Sequence, residues 1–229
     1  RPCSAAWLWL LLASGGARAQ AEFRQDERLA QDRPEAWAMR FATGTTLFTS
    51  FGAEPPDRWD LAMDVGHVPQ LDDDQRRVGF NGTKTEDLNK TPVFGRLRLR
   101  AALGGGWFAE LGYTPPLLVD GVRPEHLFAG AIGRSFAVGE RWRWQARVLG
   151  QHGGVRGDIT CPEALVGVDD PVRNPYGCQA RSDDVVDMHY YGADLTAGWH
   201  SGAWRWHADA GVVRSELQVL EDRHVAVDG

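Results

Sequence analysis

Apolar and polar residues alternate over much of this chain with the two-residue period of a strand that has one greasy face. Trp59, Leu61, Met63 and Val65 fall on one side of such a segment, and Asp60, Ala62, Asp64 and Gly66 on the other. Between Phe94 and Leu103, Leu97, Leu99 and Ala101 alternate with Arg96, Arg98 and Arg100. After Gly104-Gly105-Gly106 the pattern returns in Trp107, Ala109, Leu111 and Tyr113. A hairpin centred on Gly105 sets Leu103 opposite Trp107, Ala101 opposite Ala109, Leu99 opposite Leu111 and Leu97 opposite Tyr113. Its other face sets Arg100 against Glu110. A one-residue slip would destroy every one of these pairs, so the register is well specified.

A second hairpin is predicted from Val186 to Arg214, around Ser201-Gly202. Its expected register sets Trp199 opposite Trp204, Ala197 opposite Trp206 and Leu195 opposite Ala208, with Asp194 facing Asp209. A third pair, His126–Ala137 and Trp142–Gly150, is joined by Val138-Gly139-Glu140-Arg141. Here Trp142, Trp144, Ala146 and Val148 alternate with Arg143, Gln145 and Arg147. The pattern leaves its register open, because residues 126 to 136 are small or apolar on both faces. Residues 37–51, WAMRFATGTTLFTSF, fit either a strand or a segment lodged in a barrel mouth. Pro55-Pro56-Asp57 then makes a turn.

Short connections fall near residues 54, 105, 139 and 201, and longer ones at 71–92, 117–124 and 152–185. Every tryptophan after Trp37 lies at or near a strand end beside a short turn: Trp59, Trp107, Trp142, Trp144, Trp199, Trp204 and Trp206. Indoles gathered at one end of alternating strands form an aromatic girdle at a membrane interface. A soluble β-sandwich, the competing reading, gives no reason to gather them there. Across roughly residues 58–216 the chain resembles the Gram-negative outer-membrane β-barrel proteins, at the level of the class. The resemblance implies an all-β, antiparallel up-and-down transmembrane β-barrel with its short turns in the periplasm. Bacterial single-chain barrels have even strand numbers, whereas the pattern supplies an odd number from residue 58 and the sequence ends VAVDG. The expectation is therefore a barrel of at least eight strands whose last strand or strands lie beyond this sequence.

The N-terminal residues provide an export route. Ala5 to Ala13, AAWLWLLLA, is too short to span a bilayer, and Ala17-Arg18-Ala19 is a signal-peptidase pattern. This gives a signal peptide over 1–19, a periplasmic lead-in with a first strand or plug segment over 20–57, and a barrel over 58–229. A buried N-terminal helix is the alternative for the apolar run. Cys3 precedes that run, where a lipoprotein's acylated cysteine would follow it. Cys161 and Cys178 are expected to pair in an oxidising compartment, within the longest outer loop, rather than remain free thiols. Closing that loop contributes about 3 kcal/mol in the chain-entropy model.

The net charge of −6 gives no support to nucleic-acid binding. The expected inward face carries Arg96, Arg98, Arg100, Glu110, Arg143, Arg147, Asp194, Arg205, His207 and Asp209. Two readings stand: charge pairs filling a narrow barrel, or a water-filled pore whose arginines favour anions. The partners are then outer-membrane lipid and, for a pore, small polar or anionic solutes. Asp194 and Asp209 as neighbours need a cation such as Arg147 between them, or one shared proton, or form an acid pair. His189 and Ser215 are close but fall on opposite faces, and there is no GxSxG, HExxH or phosphate loop. An enzyme thus receives no specific support, and no cofactor is expected. Asp72-Asp73-Asp74, Asp169-Asp170 and Asp183-Asp184 read as solvated loop acids rather than calcium ligands. The functional expectation is a porin-like channel or a structural barrel. A lipid-modifying membrane enzyme and a surface-binding protein using the disulfide-tied loop are the alternatives.

Overall fold

The computed structural model describes residues 30–220 except 172, 175 and 176. The expected signal segment, Cys3, the first part of the expected lead-in and the closing VAVDG lie outside these residues. In chain order the elements are α1 (Pro34–Thr45), β1 (Trp59–His67), α2 (Asp73–Arg76), β2 (Arg77–Val78), α3 (Gly79–Gly82), β3 (Lys84–Thr85), β4 (Val93–Gly104), β5 (Trp107–Thr114), β6 (Val122–Val138), β7 (Trp142–Gly157), β8 (Asp184–Ser201) and β9 (Trp204–Leu220). Seven of them form one antiparallel sheet in the order β1-β4-β5-β6-β7-β8-β9, curved into a half-barrel. The pair β2-β3 is a separate small ribbon within the long connection from β1 to β4.

The first hairpin pairs as the alternation predicts, with Leu97 opposite Tyr113, Leu99 opposite Leu111, Arg100 opposite Glu110 and Ala101 opposite Ala109. Beside the turn the expectation fails. Trp107 faces Gly104 rather than Leu103, across a register shift, and Gly104, Gly105 and Gly106 all have positive φ. That backbone suits glycine and lets the strand bulge at the turn.

The second hairpin is corrected by two residues. Ser201 pairs with Trp204, Trp199 with Trp206 and Ala197 with Ala208, so the two-residue turn is Gly202-Ala203. Gly202 has φ 57°, at the first central position where a II′ turn places glycine. The shift preserves the faces but separates the acids: Asp194 lies opposite Gly211, and Asp209 opposite Thr196. In the third hairpin Val138 pairs with Trp142 and Phe136 with Trp144. Both of its strands run beyond the predicted limits, β6 back to Val122 and β7 on to Gly157.

Residues 37–51 hold no strand. Pro34 opens α1, where a missing N–H costs nothing, and Glu35 in the first turn complements the helix dipole. This helix lies at the end of the molecule that carries the long connections, against α3 and β2. Its Glu35 accepts from the backbone N–H of Asn81, at the α3 segment. From Thr46 the chain runs down the inner face of the sheet to Pro56, and β1 starts at the short-turn end, with Trp59 opposite Ala101. No helix among the described residues is long and apolar enough to cross a membrane.

Candidate functional site

Alternation sends the even-numbered residues of β4, β5 and β8, and the odd-numbered ones of β6 and β7, toward segment 46–56. These inner residues form stacked layers. The central layer is built on Glu110, whose carboxylate accepts from three guanidiniums: Arg100 Nε at 2.9 Å, Arg98 Nη2 at 2.8 Å and Arg147 Nη1 at 2.8 Å. Asp64 adds an ion pair to Arg98 at 3.2 Å, Asp194 pairs with Arg147, and Asp60 lies 3.7 Å from Arg100. Arg98, Arg147 and Glu110 are all at most 2% exposed. Burial at that level is tolerable because each charge meets an opposite one and most of the remaining N–H groups find acceptors, Arg98 Nε being an exception.

Segment 46–56 supplies many of those acceptors. The carbonyl of Thr46 accepts from Arg96 Nη2 (2.8 Å), that of Phe48 from Arg147 Nη2 (3.0 Å), that of Thr49 from Arg98 Nη2 (2.9 Å) and that of Glu54 from Arg100 Nη2 (2.9 Å). Gln145 Nε2 donates to Ser50 Oγ, and the Tyr190 hydroxyl accepts from the Phe48 N–H. The Phe48 ring lies among the guanidiniums, 4.2 Å from that of Arg98, 5.2 Å from that of Arg96 and 5.8 Å from that of Arg147. Each such cation–π contact contributes roughly 0.5–2 kcal/mol in a desolvated setting. One extended segment thus gives a backbone carbonyl acceptor to each of four buried arginines.

Two strand glycines make room for it. A methyl group at Gly112 would lie 2.9 Å from the Phe48 ring and 2.9 Å from the Arg96 side chain. One at Gly198 would lie 2.8 Å from Ala53 Cβ. Glycine weakens a strand, and here it lets another backbone approach closely.

The predicted inward charges therefore divide. Arg96, Arg98, Arg100, Glu110, Arg147 and Asp194 come together around the segment. Arg143 is half-exposed and pairs with Glu54 at 3.4 Å. Arg205, His207 and Asp209 lie on edge strand β9 and are exposed. The tryptophans Trp59, Trp107, Trp142, Trp144, Trp199, Trp204 and Trp206 all lie on the outer face at the short-turn end. Trp59, Trp204 and Trp206 are the most exposed of them, at 62%, 69% and 63%. Sequence reasoning did not assign Phe48, Asp64, Gln151 or Tyr190 to the interior; the visible signal was inner-position glycine opposite a Phe-bearing stretch.

In the long connection between β7 and β8, Cys161 and Cys178 form the expected disulfide. Asp72 caps α2 through a capping box, and Asp73 and Asp74 pair with Arg76 and Arg77. Among the described residues no group of acids, histidines and cysteines has the arrangement of a metal site. His189 stands against His152 on the outer face, while Ser215 shares the register position of inward Tyr190.

Asp158 joins the two long connections. It is 3% exposed, meets Lys90 at 3.1 Å and Arg181 at 3.2 Å, and accepts from the Glu163 N–H. Burial alone would raise its carboxyl, but the hydrogen bond from Lys90 and the Glu163 N–H hold it below the usual range. A depressed folded pKa means stability that is present above the ordinary aspartate range and lost as pH falls through the folded value. Replacing Asp158 by Asn is expected to cost about 1.5–3 kcal/mol at pH 7. The penalty should fade as the pH is lowered into the acid range; urea unfolding of both proteins at neutral and acid pH measures it.

Comparison with family models, with characterised proteins and with solved structures gave no match.

Proposed function

We propose that this chain is a membrane-embedded β-barrel protein of an outer membrane, with a charged interior closed by its own segment 46–56. One observation carries the reading: the distribution of polarity is inverted. Leu61, Leu111, Val148 and Val212 on the outer face are 69%, 62%, 56% and 78% exposed, while Arg96, Arg98 and Arg147 inside are 1–2% exposed. A contiguous outer apolar face of this kind needs a nonaqueous neighbour, and lipid is one that also accounts for tryptophans at one end. In this orientation the short turns face the periplasm, and α1 with the long connections lies outside.

Of the pore and the filled barrel, the interior contacts favour the filled barrel. An anion path needs arginines with free faces toward water. Here Arg98, Arg100 and Arg147 are spent on Glu110 and on backbone carbonyls of Phe48, Thr49 and Glu54. The role is then structural or lipid-directed rather than solute transport. Planar-bilayer recording of the full chain tests this. The expected result is no steady single-channel conductance; a stable anion-selective conductance would restore the porin reading.

A further inference from the structure

Above the charge layer, toward the long connections, the interior changes character. A cavity of about 540 Å³ lies there, walled on the inside by Phe94, Val122, Leu127, Val186 and Met188. Leu127, Val122 and Met188 are 1%, 5% and 3% exposed. Its floor is Arg96, whose guanidinium lies between the rings of Phe94 at 4.9 Å and Phe48 at 5.2 Å. The Phe48 ring lies between this floor and the guanidinium of Arg98.

The same cavity is also bordered by Met63, Val65 and Leu97, which belong to the outer face and are 64%, 67% and 45% exposed. It therefore touches residues of both faces at this end of the sheet. The reason is local. Pairing between β4 and β5 ends at Leu97–Tyr113, and β5 itself ends at Thr114. Continuing that register would set Gly95 opposite Pro115 and Phe94 opposite Pro116. Proline has no N–H to give a ladder. The Pro115 carbonyl is turned to a local bond from the Leu117 N–H. Residues 93–96 of β4 thus pair only with β1. The Thr114 hydroxyl at the break, in a residue 4% exposed, has no hydrogen-bond partner.

The geometry points to a binding site for one hydrocarbon chain of a membrane lipid, which enters sideways from the bilayer through the break between β4 and β5. This rests on the membrane reading above. An apolar chamber of this size falls within the range of small-molecule sites. It opens at the sheet face where lipid would lie, past the apolar side chains of Met63, Val65 and Leu97, with the Thr114 hydroxyl at the break itself. Charged residues also border the chamber, among them Arg96, Lys90 and Asp184; they offer a lipid's polar end a place while the apolar walls take its hydrocarbon chain.

The test uses the full chain in vesicles of palmitoyl-oleoyl-phosphatidylcholine, with photoreactive p-benzoyl-phenylalanine placed singly at Met188, Leu111 or Gln145. Leu111 reports the outer face and Gln145 the polar interior. Irradiation is expected to add one phospholipid mass at Leu111 and at Met188, with yield at Met188 about tenfold above that at Gln145, since lipid does not penetrate a packed polar interior. A disulfide across the break, from Gly95→Cys with Pro115→Cys, should abolish the adduct at Met188 and leave that at Leu111. Native mass spectra of the unmodified protein, released from the same vesicles, should show one retained phospholipid. An adduct at Leu111 with none at Met188 and no retained lipid overturns this inference alone. An adduct at Met188 that survives the cross-link overturns the sideways route. No adduct at Leu111 overturns the membrane reading itself.

Discussion

Replacing Glu110 by Gln is expected to destabilise the protein by about 3–5 kcal/mol, the cost of breaking a buried ion pair from one side. The carboxylate is 1% exposed and bonded to three guanidiniums. Glutamine keeps the shape and one acceptor but removes the charge. Arg98, Arg100 and Arg147 would then share only Asp64, Asp60 and Asp194, and Asp60 is half-exposed. Glu54→Gln is the control. Its pair with Arg143 is 51% and 40% exposed, so the loss there should stay within about 0–1 kcal/mol. Urea unfolding from lipid vesicles, followed by tryptophan fluorescence, compares the two. Equal losses would mean that the interior charges are solvated by water and not by one another.

The second large effect is expected on the other face. Leu99→Arg should cost about 2–4 kcal/mol, the penalty for an arginine near the bilayer midplane. Leu103→Arg should cost only about 0–1 kcal/mol, because that position is beside the short turn and close to the interface. The two leucines are comparably exposed, 42% and 58%, and lie on the same strand. In a protein bathed in water, both substitutions would fall within about 0.5 kcal/mol of neutral. The depth dependence is what separates the two environments, and the same unfolding measurement reads it.

Much of the sheet was legible in the sequence. The first hairpin has a glycine turn and an Arg100–Glu110 pair, and a slip there inverts the faces. The second hairpin was misread by two residues because such a shift leaves every face unchanged. Trp204 and Trp206 offer equally good partners for Trp199. What decided the register was turn chemistry at Gly202, a local term the alternation does not contain.

The interior was legible only in part. The arginine stripe of β4 showed as a polar face, but its partners did not. They are mostly backbone carbonyls of residues 46–54, and a carbonyl leaves no mark on a sequence. Residues 37–51 were ambiguous because the helix takes up the first part and an extended chain the second. No single period runs through both. Pro34 was the available start signal for α1, and Gly112 and Gly198 were the available signs of something packed close against the wall. The break beside β4 was written in Pro115-Pro116, but its meaning required knowing which strand it faced.

An outer face that lies in lipid has a distinct collision signature. Nitroxide spin labels placed singly at Leu61, Leu111, Ile132, Val148 and Leu195, on the full chain in phospholipid vesicles, test it most directly. Collision with dissolved oxygen, which concentrates in hydrocarbon, is compared with collision with a water-soluble nickel chelate. Oxygen is expected to dominate at all these positions, and the nickel chelate at Glu140 and Gly202 in the short turns. Nickel accessibility at the mid-strand positions equal to that in the turns would contradict it.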